Sequence, residues 1–163
     1  MVVKESSSTV RDWSQNRPDL DTASMEIIGL LKRASGLLAR AIEPLCTSAC
    51  IPEPEHDILI VLRYRKGPVI ARHIAEELGV SQAWVSRTLR KLEERGYVTR
   101  EASVNDRRAV IISMTDSGRA VVDEHFPERL LIQSAALAGL GDDRDAVVGG
   151  LERLVESLRA YEG

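Results

Sequence analysis

The chain has little that would support chemistry at a fixed catalytic centre. Among 163 residues there are two cysteines, Cys46 and Cys50, and three histidines, His56, His73 and His125. The cysteine spacing is not the C-x-x-C of a redox pair or a zinc knuckle, and an unbroken helix holds two such thiols poorly for a disulfide. Small buried apolar side chains are the plain reading of both; a thiol switch is the alternative and needs a depressed thiol pKa. The histidines are scattered, with no carboxylate or thiol at metal-ligand spacing on a shared element, so neither metal nor cofactor is expected. No nucleophile–base pairing, phosphate-binding glycine loop or paired carboxylate stands in a supporting context, which argues against an enzyme. No apolar run is long enough to span a bilayer, and residues 1–8 lack a signal-peptide pattern. A cytoplasmic protein without a membrane partner is expected. No internal repeat appears, and one domain over 1–163 is the expectation for this length.

What is present concentrates in residues 69–115. VIARHIAEELGV places Ile70, Ile74, Ala75 and Leu78 on one helical face and ends at Gly79. Ser81 caps a second helix, SQAWVSRTLRKLEERG, whose Val85, Leu89 and Leu92 make an apolar stripe. Gln82, Ser86, Arg87 and Arg90 lie on its other faces. Gly96 ends it, YVTRE extends, NDRR turns, and AVIISMT alternates as a returning strand. Two helices joined by a short glycine turn, the second polar and basic outside, predict a helix-turn-helix with a hairpin wing.

Net charge is −3, yet residues 81–108 carry +3 and the remainder −6. A locally positive element on an acidic body suits phosphate contact. A solvated charged face accounts for Lys91, Glu93 and Glu94 but not for Arg107 and Arg108 at a hairpin tip.

The flanks are helical. Thr9–Asn16 carries Val10 and Trp13 on one side. Asp21 or Thr22 caps a long helix whose apolar positions, from Ile27 to Leu45, are too broad for one side packed on a small core. Pro44 bends or frays its end. Pro52 and Pro54 mark a loop, and EHDILIVLRYRKG makes a compact helix. Thr115 or Asp116 caps a helix through about Leu140 that Pro127 kinks. A last helix begins near Asp142 with Val147, Leu151, Leu154, Val155 and Leu158 as one stripe, and Gly149–Gly150 signals a close approach or a bend. The surplus apolar surface most simply makes a homodimer. The fold class expected is mostly α with a small β-hairpin: a winged helix-turn-helix lobe over 54–115, with dimerisation helices at 9–48 and 116–161.

Gln82, Ser86 and Arg87 lie at or near the half of the second helix that a recognition helix pushes deepest, with Arg90 behind them. Gln reads adenine, Arg reads guanine, and Ser serves a base edge or a phosphate. Trp84 either covers a thymine methyl or packs against a neighbouring helix. In VNDRR, Asp106 is spaced to hold Arg108 rigid for entry into the minor groove, with Arg107 on phosphate. Double-stranded DNA is the expected partner. A winged-helix module for protein assembly is the competing reading, and it would not need Asp106 and Arg108.

The run SQAWVSRTLRKLEERGYVTRE followed by NDRRAVIISMTDSG resembles the MarR family of bacterial transcription regulators, over roughly residues 22–160 in helix order. Asp106, Arg108, Thr115 and Gly118 carry the family's wing pattern. The resemblance implies a homodimer that binds a pseudo-palindromic operator and usually represses until a small molecule, an oxidant or a metal lowers DNA affinity. Many relatives have Ser or Thr where Ile70 and Arg72 stand, so phosphate contacts there fall to Arg72 or His73.

Trp13, the phrase RPDLDTASMEIIG and Asp57 are further similar to the urate-responsive branch of that family. This likeness implies an effector site in which Trp13 stacks on a planar ligand while Asp57 and Arg100 sense its charge. The branch expects an Arg seven residues after the Asp, and Tyr64 stands there instead. That change puts urate in question and shifts preference toward less acidic ligands, while a small planar or anionic effector, such as a purine or an aromatic or carboxylic acid, stays open. The residue-level alternatives are a hydrophobic staple for Trp13, a helix-dipole partner for Asp57 and a phosphate contact for Arg100. Thiol sensing through Cys46 or Cys50 competes with ligand sensing.

Overall fold

The computed structural model of the chain describes residues 7–102 and 110–162. In chain order the elements are α1 (Ser8–Asn16), α2 (Ala23–Ser48), α3 (Glu53–Arg63), α4 (Ala71–Leu78), α5 (Gln82–Glu94), β1 (Val98–Ala102), β2 (Val110–Met114), α6 (Asp116–Leu137), a 3-10 segment (Ala138–Asp143) and α7 (Arg144–Glu162). It is the expected class, mostly helical with one two-stranded antiparallel hairpin.

The helix-turn-helix and the hairpin form around one core. Ile58, Leu59 and Leu62 of α3 meet Ile74 and Ala75 of α4, Val85, Leu89 and Leu92 of α5, Val98 and Ile112 of the hairpin, and Val122 of α6. Gly79 turns the chain between α4 and α5 at φ 64°, a conformation glycine enters without a Cβ penalty. Ser81 Oγ then accepts the Trp84 N–H at 3.2 Å and starts α5. The hairpin pairs Val98 with Met114 and Arg100 with Ile112. Ile112 also donates its N–H to the Val69 carbonyl at 2.8 Å, anchoring the wing to the segment before α4.

Several boundaries differ from expectation. α3 begins at Glu53, so Pro54 belongs to its first turn and not to a loop; a missing N–H costs nothing there. α3 stops at Arg63, and Tyr64 leaves helical geometry, so YRKG does not continue it. α2 runs through Pro44 and ends at Ser48, the bound expected. At the start of α2 Thr22 holds the cap position, while Asp21 Oδ1 accepts the Ala23 N–H at 2.9 Å. α6 ends at Leu137, short of Leu140, and α7 begins at Arg144 instead of Asp142, because Gly141 breaks the helical path at φ 47°, ψ −126°.

Two helices present uncovered apolar faces. None of residues 144–161 in α7 is buried, and Leu151, Val155 and Leu158 are nearly half exposed. Ile27, Leu30 and Leu37 of α2 are just over half exposed. Around Gly149 and Gly150 the described chain leaves open space, so no close approach within the chain requires them. Gly118 differs: a Cβ there would lie 2.3 Å from the Tyr97 carbonyl oxygen, so only glycine lets α6 start against the base of the wing.

Candidate nucleic-acid interface and effector region

α5 buries Val85, Thr88, Leu89 and Leu92 and leaves Gln82, Arg87, Arg90 and Lys91 exposed, with Ser86 half-buried. The division follows the 3.6-residue period, so a polar, basic edge faces outward from a rigidly packed helix. Thr88 Oγ1 donates to the Trp84 carbonyl at 3.1 Å. Trp84 itself packs half-buried against the core, which favours the packing reading of that residue. On α4, Arg72 and His73 are exposed, and Arg72 lies 3.4 Å from Glu76. Asp106, Arg107 and Arg108 lie outside the described residues.

The base of the wing is tied down on both sides. Thr115 Oγ1 donates to the Gly96 carbonyl at 2.7 Å and accepts the Gly118 N–H at 3.1 Å, linking the end of α5 to the start of α6. Arg95 donates to the buried Glu55 carboxylate at 2.9 Å and to the Cys50 carbonyl, pinning the α2–α3 connection to the end of α5. Arg100 is half-buried on β1, with Nη1 3.5 Å from Glu93 and a buried Nε without a partner among the described residues.

Asp57 has a partner that sequence reasoning missed. Arg129, on α6 and 6% exposed, places Nη2 2.6 Å from Asp57 Oδ1 and 3.6 Å from Glu53. Its Nη1 lies 3.3 Å from Nδ1 of the buried His56. Because a guanidinium only donates, His56 accepts at Nδ1 and carries its proton on Nε2, which is buried without a partner among the described residues. Burial first, then the Arg129 charge and that of His125, pushes His56 down to a pKa of about 4, so the ring is neutral at pH 7. Nearly two turns along α3, Arg63 makes a two-point pair with Asp123 of α6 at 2.7 and 2.8 Å.

The four residues marked for an effector have separate surroundings. Trp13 is about half exposed on α1, which is held to the start of α2 by a 2.7 Å contact between Ser14 and Thr22 hydroxyls. Tyr64 is exposed, lies under the Arg63 guanidinium and borders a hollow of about 270 Å³ with Ile60 and Phe126. Among the described residues no hydrogen bond or ion pair joins any two of Trp13, Asp57, Tyr64 and Arg100.

The cysteines are not a buried pair. Cys46 is half-buried within α2, while Cys50 is exposed beyond the helix end at φ 50°. The expectation of small buried side chains therefore fails at Cys50, because the helix stops before it. Burial and the neighbouring Glu53 carboxylate raise the Cys46 thiol pKa, the direction opposite to activation. Among the described residues no His, Cys, Asp and Glu cluster has the makings of a metal site, and no helix is long and apolar enough to cross a membrane.

Residues 51–109 match the model of the MarR family. The HTH-type transcriptional regulator PecS of Dickeya dadantii is 36% identical over 127 residues, covering 74% of this chain and 76% of that protein. Among solved structures, the S. aureus MepR–DNA complex superposes with a TM-score of 0.73 at 19% identity, covering 78% of this chain and 95% of MepR. Bordetella bronchiseptica BpsR, described as regulated in DNA binding by 6-hydroxynicotinic acid, also reaches 0.73, at 24% identity over 82% of this chain and 95% of its own.

Proposed function

The chain belongs to the MarR family of winged helix-turn-helix transcriptional regulators, and we propose that it is a homodimeric repressor released from its operator by a small planar or anionic effector. The observation that carries the DNA reading is the outward edge of α5, where Gln82, Arg87 and Arg90 stand exposed on a helix capped by Ser81 and locked to the core. MepR offers a fold of the same kind on DNA. The homodimer is supported by the uncovered stripes of α2 and α7 and by the two-fold logic of half-site reading.

The test is fluorescence titration of an operator fragment at one fixed salt concentration. Arg87→Ala is expected to lose sequence discrimination, a base contact being worth roughly 1–3 kcal/mol. Arg108→Ala is expected to weaken binding strongly, Asp106→Ala nearly as much, and Lys91→Ala little. Equal losses at Lys91 and Arg108 remove the wing argument. Binding that is insensitive to salt favours the protein-assembly module instead.

The effector reading draws on Trp13 as a ring-stacking face, Arg100 as a cation, and Asp57 and Tyr64 as polar partners, with BpsR as a relative in fold whose ligand is a planar aromatic acid. A thermal-shift screen of purines and aromatic acids, followed by DNA release with any hit, tests it. Unchanged binding and release in Trp13→Ala and Asp57→Ala place the site elsewhere. Thiol sensing predicts that a Cys46→Ser, Cys50→Ser double variant no longer responds; retained release by the effector removes that reading.

A further inference from the structure

The sequence lacks the arginine expected seven residues after Asp57, and in the structure Asp57 is met by a guanidinium from another element, Arg129 of α6. Resting on the effector reading above, we infer that Arg129 is the anion-recognising residue of the effector site and that a planar anionic ligand binds by taking Arg129 from Asp57.

The geometry distinguishes this pair from its neighbour. Arg63 presents both Nε and Nη2 to the two oxygens of Asp123, the two-point arrangement in which a guanidinium and a carboxylate are best matched. Arg129 holds Asp57 through Nη2 alone, and its buried Nε has no partner among the described residues. A ligand with two coplanar acceptors, such as a carboxylate or the anionic edge of a purine, would satisfy both donors where Asp57 satisfies one.

Charge sets the ligand class. Arg129 is almost fully buried, and a buried guanidinium stripped of its counter-ion is strongly disfavoured. An incoming anion preserves the balance as Asp57 leaves, whereas a neutral ligand leaves Arg129 only the more distant Glu53 carboxylate, at 3.6 Å. The side chain of Asp57 is 31% exposed, so the displaced carboxylate has solvent to turn into. Tyr64 in place of an arginine argued for a less acidic ligand; the guanidinium supplied by α6 restores an anion partner.

The exchange is tested by calorimetric titration of the full chain with urate and 6-hydroxynicotinic acid as planar anions and hypoxanthine as a neutral planar probe. Wild type is expected to prefer the anions to hypoxanthine by about tenfold or more, and Arg129→Gln to lose that preference. Asp57→Asn removes the competitor for Arg129 and is expected to bind the anions about tenfold more tightly. A purely structural role for Arg129 would weaken all three probes alike and would not predict a gain in Asp57→Asn. Should Arg129→Gln fail to fold, the Asp57→Asn titration decides alone. Weaker anion binding by Asp57→Asn, or an anion preference that survives in Arg129→Gln, overturns the exchange. If Trp13→Ala still blunts the response, that result leaves the wider site reading standing. Binding of neither anion by the wild-type chain overturns both.

Discussion

Substitution of Gly118 by alanine should damage the protein although it lies in a helix where alanine is the better helix former. The new methyl carbon would sit 2.3 Å from the Tyr97 carbonyl oxygen and 3.1 Å from the Met114 side chain. Optimal separation of non-bonded heavy atoms is about 3.5 Å, so the first contact is roughly 1 Å too close. The methionine is able to yield, but the carbonyl is backbone and already accepts the Thr115 N–H at 3.1 Å. Relief therefore requires α6 to back away from the wing. That movement strains the Thr115 bridge between the Gly96 carbonyl and the Gly118 N–H. Overpacking costs roughly 1–3 kcal/mol, and each weakened hydrogen bond about 1 kcal/mol. Helix propensity returns at most about 1 kcal/mol. The net expectation is a loss of about 2–3 kcal/mol, a large share of ordinary domain stability. Urea unfolding of wild type and Gly118→Ala at one chain concentration measures it. A change within about 0.5 kcal/mol, or a gain, would refute the close-approach reasoning.

Gly149 provides the contrast, since it faces away from the Val147–Leu151–Leu158 stripe and a Cβ there meets nothing within 4 Å. Gly149→Ala is expected to stabilise by up to about 1 kcal/mol in the same urea assay, whereas Leu151→Asp, at the centre of the stripe, is expected to convert the proposed homodimer to monomer in sedimentation. A stable wild-type monomer at micromolar concentration would sink the dimer. His56 governs a pH window: its pKa falls from 6.5 to about 4 on folding, so the unfolded chain binds the extra proton between those values. Stability should therefore be complete above pH 6.5 and fall as pH drops toward 4, by as much as about 3 kcal/mol from this residue. Urea titrations at pH 4.5 and 7 check it, the difference shrinking in His56→Gln; an undiminished difference in that variant would assign the effect to other groups.

Local signals were strong where the chain itself determines its geometry. Gly79, Ser81 and the Val85–Leu89–Leu92 stripe are each read within one or two helical turns, and the structure places all of them accordingly. The ends of α6 and α7 were harder, because an LGDD run suits the close of one helix and the acidic first turn of the next equally well. Only the backbone at Gly141 separates them. Arg129 stands 72 residues from Asp57, and a charged residue in PERLL reads as solvent-exposed. The signal that was present is its register: Val122, Phe126 and Arg129 recur at i, i+4 and i+7, which puts the arginine on the core-facing side of α6. A charge on an apolar stripe needs a partner across the interface, and Asp57 on the neighbouring helix satisfies that need.

Three points along α6 tie it to the wing and to α3: Gly118 against the wing, Asp123 with Arg63, and Arg129 with Asp57. They span twelve residues of α6, about 16 Å at the rise of an α-helix. Two of the three hold α3, and α5 packs on α3 as well. An effector that releases Asp57 under the proposed exchange loosens the far end of this seam while the Gly118 and Asp123 ends stay closed. The motion so permitted is a tilt of α3 about the wing end, not detachment of the lobe. α5 has to follow because Val85, Leu89 and Leu92 share the core with Leu59 and Leu62, and close-packed cores transmit such displacements. The exposed edge carrying Gln82, Arg87 and Arg90 would then leave its register with the groove, and the partner half-site of a dimer would lose its spacing by the same movement.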